Sequence, residues 1–208
     1  ATPMKVSLAI ISIIGWFTLI TQLYIHIAAH AVPLAETLTR YFSYFTLLTN
    51  GMVTVCCTVL LLAPRSRWGR FFALPQTITA IAVYIAIVGI VYNVVLRSLW
   101  HMTGLQKVLN ELEHVIVPAL FILYWYVFAA KEQLTWKHCW PWLIYPFIYI
   151  VFILIRGAFS GFYPYPFINV GEIGMQQALI NSIMIGVVFL LASLLFIGIA
   201  RWMAPKNN

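Results

Sequence analysis

Charge is what this 208-residue chain has least of. Lys, Arg, Asp and Glu together make up 8% of it, where a soluble domain carries about 25%. The five acidic residues are all glutamates. Beside a hydrophobic content of 63%, that scarcity excludes an ordinary water-soluble domain and puts the chain in a bilayer. The net charge of +7 comes without any basic run, so it speaks for membrane topology and lipid headgroups and gives no signal for nucleic acid. Cysteine is scarce too. Cys56 and Cys57 lie inside an apolar stretch and Cys139 in a short basic loop, a layout that makes neither a disulfide framework nor a C-x-x-C metal site. There is no internal repeat and no separate soluble domain.

What remains is apolar sequence in lengths that matter. A membrane helix needs about 20 mainly apolar residues. Six stretches qualify, at about 6–29, 39–63, 71–96, 111–130, 140–158 and 174–202. The expected fold is an all-α integral membrane bundle of about six transmembrane helices, a single domain over 1–208. With both termini on one side, that side holds Lys5, Arg65, Arg67, Arg70, Lys131, Lys137, Arg201 and Lys206. The other holds Arg40, Arg97, Lys107 and Arg156. The positive-inside rule then makes both termini cytoplasmic, in the inner (cell) membrane for a bacterial chain. Trp68, Trp100, Trp136, Trp140, Trp142 and Trp202 fall near span ends, as interface anchors do.

Polar groups gather on the outer side. His26, His30, His101 and His114 map there, with Glu36, Glu111, Glu113, Glu172, Arg40, Arg97 and Arg156. Asn93, Ser160 and Tyr163 map to the same depth. Such groups are costly in a membrane and face a bundle interior or a water cavity. They predict one shared pocket open to the outer face; the alternative is a plain interface of snorkelling side chains.

Two stretches carry the chemistry. In "LNELEHVIVP" (109–118), Asn110 reads as an N-cap with Glu113 as its capping-box partner, and Glu111 as a first-turn carboxylate. His114 has neither role, and reads as a general base, a ligand or a satisfied core histidine. Pro118, four residues on, lacks an N–H and frees the carbonyl of His114. In "RYFSYFTLLTN" (40–50), Ser43, Thr46, Thr49 and Asn50 recur at helical spacing as one polar stripe. Such hydroxyls often bond back to their own helix; one activated by a nearby histidine is a nucleophile.

"YFT" at 44–46, "NELEHVIVP" at 110–118 and "SGFYPYPFI" at 160–168 occur in an order and on helices that resemble the androgen-induced / androgen-dependent family of multi-pass membrane hydrolases, bacterial relatives included. The resemblance runs from about residue 5 to 200. It implies hydrolysis of fatty acid esters of hydroxy fatty acids by a threonine and a histidine. The pattern Tyr-hydrophobic-Thr falls on Tyr44, Phe45 and Thr46, making Thr46 the candidate nucleophile. Asn-x-x-x-His falls on Asn110 and His114, making His114 the candidate base. Gly-x-x-x-Tyr-Pro-apolar falls on Gly161, Tyr165, Pro166 and Phe167. A shift of one helical turn along "RYFSY" puts Ser43 at the nucleophile instead. Where animal members carry a second histidine, this chain has Glu111.

These readings set further expectations. Asn50, Asn93 or Arg97 would donate to the oxyanion, and Arg97, Arg40 or Arg156 would hold a substrate carboxylate unless paired with Glu36 or Glu172. Tyr163, with Phe42, Phe45, Tyr92, Phe159 and Phe162, would line a slot for the apolar chains of a lipid ester. The reading calls for no cofactor and no metal, and its partners are the lipid ester and membrane lipids. Competing classes are a transporter or lipid-binding protein with an outer pocket, a haem carrier, and a zinc site from His26, His30, His114 and Glu111.

Overall fold

The computed structural model describes residues 2–204; Ala1 and 205–208, Lys206 among them, lie outside the described residues. Those described are all-helical, with no strand. Ten α-helices follow in order: α1 (Thr2–Ala28), α2 (Leu34–Tyr41), α3 (Phe45–Leu62), α4 (Arg67–Ala73), α5 (Pro75–Val91), α6 (Gly104–Glu111), α7 (Val117–Phe128), α8 (Cys139–Trp142), α9 (Ile144–Ser160) and α10 (Val170–Met203). Six continuous helical segments are long and apolar enough to cross a membrane: Thr2–Ala28, Phe45–Leu62, Pro75–Leu96, Gly104–Phe128, Trp136–Ser160 and Val170–Met203. The protein is a multi-pass helical membrane bundle.

Helix α5 is its axis. Pro75 opens it, where a missing N–H costs nothing, and every residue from Ile78 to Val88 is buried. It packs against α3, α7 and α10. Helices α1 and α3 approach so closely that a Cβ on Gly15 would stand 2.1 Å from Thr54 Oγ1. Packing of small residues substitutes here for the hydrophobic drive that lipid removes.

Two expected helix ends move. The second span does not run unbroken from 39. It stops at Tyr41 and restarts at Phe45, and Tyr149 stitches the break: its hydroxyl donates to Ser43 O (2.6 Å) and accepts Phe45 N–H (3.2 Å). The fourth span begins at Gly104, not 111. Leu105, Val108, Leu109 and Leu112 keep helical spacing through the polar residues between them. Asn110 is therefore mid-helix, and the N-cap, capping-box and first-turn roles expected of Asn110, Glu113 and Glu111 give way.

Two wide π-helical turns distinguish the third and fourth spans, Tyr92–Leu96 after α5 and Leu112–Ile116 before α7. The second precedes Pro118, whose missing N–H leaves the His114 carbonyl without its i+4 donor. Asn93 Nδ2 lies 3.4 Å from that oxygen. The neighbouring helix thus supplies the donor that the proline withholds.

Candidate active site

Thr46 is the second residue of α3, where amides without an intrahelical partner leave partial positive charge. The sequence folds it there because the break at 42–44 starts a helix at Phe45. That position frees its hydroxyl. Ser43, Thr54 and Thr58 all bond back to the carbonyl four residues earlier, and Thr49 Oγ1 pairs with Tyr145 OH. Thr46 Oγ1 instead lies 3.2 Å from His114 Nε2 and 3.3 Å from Tyr165 OH.

The hydrogens in this chain can be assigned. His114 Nδ1 is 2.9 Å from Asn110 O. A carbonyl only accepts, so Nδ1 carries hydrogen, and in the neutral ring Nε2 presents its lone pair to Thr46. Asn110 O fills the place that a carboxylate takes in a hydrolase triad. Tyr92 fixes the ring from the side, with centroids 4.2 Å apart, and its hydroxyl accepts from Asn110 Nδ2. Thr46 N–H donates to Tyr165 OH at 3.2 Å.

Two cavities meet at this group. One, of about 530 Å³, is walled by apolar side chains of α5, α9 and α10, among them Val91, Phe147, Val151, Ile183 and Val187. Phe147 and Ile183 are 66% and 69% exposed on the outside of the bundle, so this slot has its mouth on the lipid-facing surface. The other, of about 590 Å³, is polar, with Gln22, His26, His101, Gln106, Glu113 and Glu172 in its wall. Among the described residues, Thr46, His114 and Tyr165 alone are common to both walls.

The remaining expected residues divide. Ser43 sits in the break, fully buried, with Oγ on Thr39 O at 2.6 Å, and lines neither cavity. Asn50 lies one turn below Thr46, but both its amide hydrogens go to carbonyls, of Thr46 (2.9 Å) and Glu113 (3.1 Å). A flipped amide would set oxygen against both, so the orientation is fixed. Asn93 spends its amide on Gly89 O and His114 O. Neither asparagine has a hydrogen left for an oxyanion.

The arginines are paired as well. Arg97 NH1 and NH2 take the two oxygens of Glu111 at 2.7 and 3.0 Å. Arg40 and Arg156 share Glu36 Oε1, each at 2.7 Å. Both lie over the ring of Phe162, at the rim. Their hydrogen bonds pull Glu36 below the ordinary carboxylate range, that of Arg40 first and that of Arg156 second.

Tyr163 lines the polar cavity, its ring against Gly157. Of the other aromatics, Phe45 and Tyr92 line the apolar slot, while Phe42 and Phe159 are exposed and line neither cavity. Among the described residues no three His, Cys, Asp or Glu gather as metal ligands. The zinc set disperses: His26 Nδ1 is on Gln22 O and Glu111 is on Arg97. The site residue that the sequence pattern carried without a role is Tyr165.

Compared with protein-family models, with curated proteins and with solved structures, the chain gave no match.

Proposed function

We propose that the chain is an intramembrane lipid-ester hydrolase, with Thr46 as nucleophile and His114 as general base. The observation that carries this reading is the meeting of an apolar slot and a polar cavity at a threonine–histidine pair with a defined proton direction. Acyl chains enter the slot from the bilayer, and the polar cavity supplies the water that deacylation needs. Thr46 Oγ attacks the ester carbon as its proton passes to His114 Nε2. The alkoxide leaves with that proton, and water attacks the acyl-threonine with the same histidine as base. The substrate named by the resemblance, a fatty acid ester of a hydroxy fatty acid, suits an apolar slot. The positive-inside asymmetry supports cytoplasmic termini, with the polar cavity opening on the far face, in the cell (inner) membrane for a bacterial chain.

Purified protein in detergent should hydrolyse such an ester. Thr46→Ala should lower kcat about 10³-fold or more, His114→Ala about 10²- to 10⁴-fold, and Ser43→Ala far less. Loss in Ser43→Ala with Thr46→Ala active moves the nucleophile by one turn. A folded wild type inactive on every lipid ester sinks the hydrolase reading and leaves the cavities to lipid binding or transport.

A further inference from the structure

An oxyanion in a membrane-embedded site needs a hydrogen-bond donor, and the side chains expected to provide one are spent. Asn50 and Asn93 give their hydrogens to main-chain carbonyls. Arg97 is clamped on Glu111.

Tyr165 has the opposite character. Its oxygen accepts Thr46 N–H. Thr46 Oγ already donates towards His114 Nε2, because Nδ1 holds the ring hydrogen. The phenol hydrogen of Tyr165 is therefore the one that points to Thr46 Oγ, across 3.3 Å. That contact is longer than the usual hydroxyl pair, about 2.5–3.0 Å, and is redirected at little cost. The ring carrying it is fixed. It stacks on Phe167 (5.3 Å, 5°) and Trp100 (6.3 Å, 22°) and meets Tyr44 edge-on (5.9 Å). The residue is 6% exposed and walls both cavities beside Thr46. Burial pushes its phenol up to about 12, so the hydrogen is present throughout the working pH of a hydrolase.

We propose that Tyr165 is the oxyanion donor of this site, its O–H turning from Thr46 Oγ to the ester carbonyl oxygen during attack. This rests on the hydrolase reading above. As the Oγ–C bond forms, the π pair of the carbonyl moves onto its oxygen and the Thr46 proton moves to His114 Nε2. The oxyanion stands one bond beyond the carbon that Oγ has joined, on a donor already aimed at Oγ. The redirection also frees the Oγ lone pair for attack. When the intermediate collapses, the C–O bond to the leaving group breaks, the histidine proton goes to the alkoxide, and the carbonyl re-forms. Tyr165 keeps its own proton throughout. A group paired weakly in the ground state and strongly in the transition state lowers the barrier without tightening substrate binding.

The test is kcat and KM for wild type, Thr46→Ala, Tyr165→Phe and a 3,5-difluorotyrosine replacement at 165, with thermal unfolding in detergent for each. Phe keeps the ring stacking, so the variant should fold. Its kcat should fall about 10²- to 10³-fold, as for loss of one oxyanion donor, with KM little changed. The fluorinated phenol should retain activity and move the alkaline limb of kcat to lower pH, a shift that a tyrosine serving only to cap α3 would not produce. Wild-type kcat in Tyr165→Phe, with Thr46→Ala inactive, overturns the Tyr165 proposal alone. So does a fluorinated enzyme whose pH profile is unmoved. Activity surviving in Thr46→Ala overturns the assignment of Thr46 as nucleophile and the Tyr165 proposal with it; a wild type inactive on every lipid ester overturns the hydrolase reading itself.

Discussion

Arg97 grips both carboxylate oxygens of Glu111, and in doing so ties the end of one wide helical turn to the start of another. The turn at Tyr92–Leu96 supplies Tyr92, which packs on the His114 ring. The turn at Leu112–Ile116 contains His114 itself. Asn93, held by Arg97 Nε at 3.0 Å, reaches the His114 carbonyl between them. π-turns recur at functional sites because they release backbone groups from the helical ladder. Here the carbonyls of Glu113 and His114 take side-chain donors from Asn50 and Asn93, which anchors the turn that carries the imidazole.

On the hydrolase reading Arg97 and Glu111 are positioning residues, and their loss should show in kcat. Arg97→Lys cannot reproduce a two-pronged grip, and Glu111→Gln removes its charge. Each should lower kcat up to about 10²-fold, the scale of a catalytic group displaced by an ångström, while KM stays near wild type. A rise in KM with kcat intact would mean that Arg97 touches substrate instead.

The apolar slot can be shortened without touching the dyad. Gly186 lies in its wall, and a Cβ there would meet nothing within 4 Å. Gly186→Phe should fill that space and raise KM for long-chain esters while sparing short ones. An equal effect on both lengths would place the acyl chain elsewhere.

Much of this arrangement was legible from residue types. Six apolar runs gave six spans, and the fifth and sixth were placed within a few residues, Gly174 marking where α10 breaks (φ 77°). The closeness of Thr46 to His114 is what the family resemblance, with its short motifs, implied. What escaped was long-range and backbone-borne. Nothing local says that Phe45 N–H will find a tyrosine 104 residues away, so the break at 42–44 and the fate of Ser43 were hidden. Nor does Pro118 announce a wide turn rather than a kink. Asn50 and Asn93 looked like free donors because the carbonyls that consume them are invisible in a sequence. Glu111 and Arg97 are 14 residues apart, beyond any i,i+4 rule.

The loop 161–169 brings Tyr163 and Tyr165 over the site, and one small residue lets it close. A Cβ on Gly157 would lie 2.1 Å from the Tyr163 ring. Gly157→Ala should therefore push that ring from its seat, destabilising the protein by about 1–3 kcal/mol, the usual cost of overpacking. Adding Tyr163→Ala should relieve the strain, so that the double variant is more stable than additivity allows. Additive unfolding midpoints would show that the two residues do not press on each other.

The rim cluster should respond to acid. Glu36 is held below its usual value of 4.5 by Arg40 first and Arg156 second. The folded state therefore binds fewer protons there than the unfolded chain, and stability from this group rises with pH. It should be complete above about 4.5 and lost as pH falls through the lower folded value. Protonation leaves Arg40 and Arg156 facing one another across a neutral acid, with Phe162 beneath both. Unfolding midpoints of wild type and Glu36→Gln, followed from neutral pH downward at low salt, should differ at the start and converge in acid. Because the carboxylate is in contact with water, added salt should narrow the gap. Two curves parallel to the lowest pH would mean that the difference does not come from the charge on Glu36.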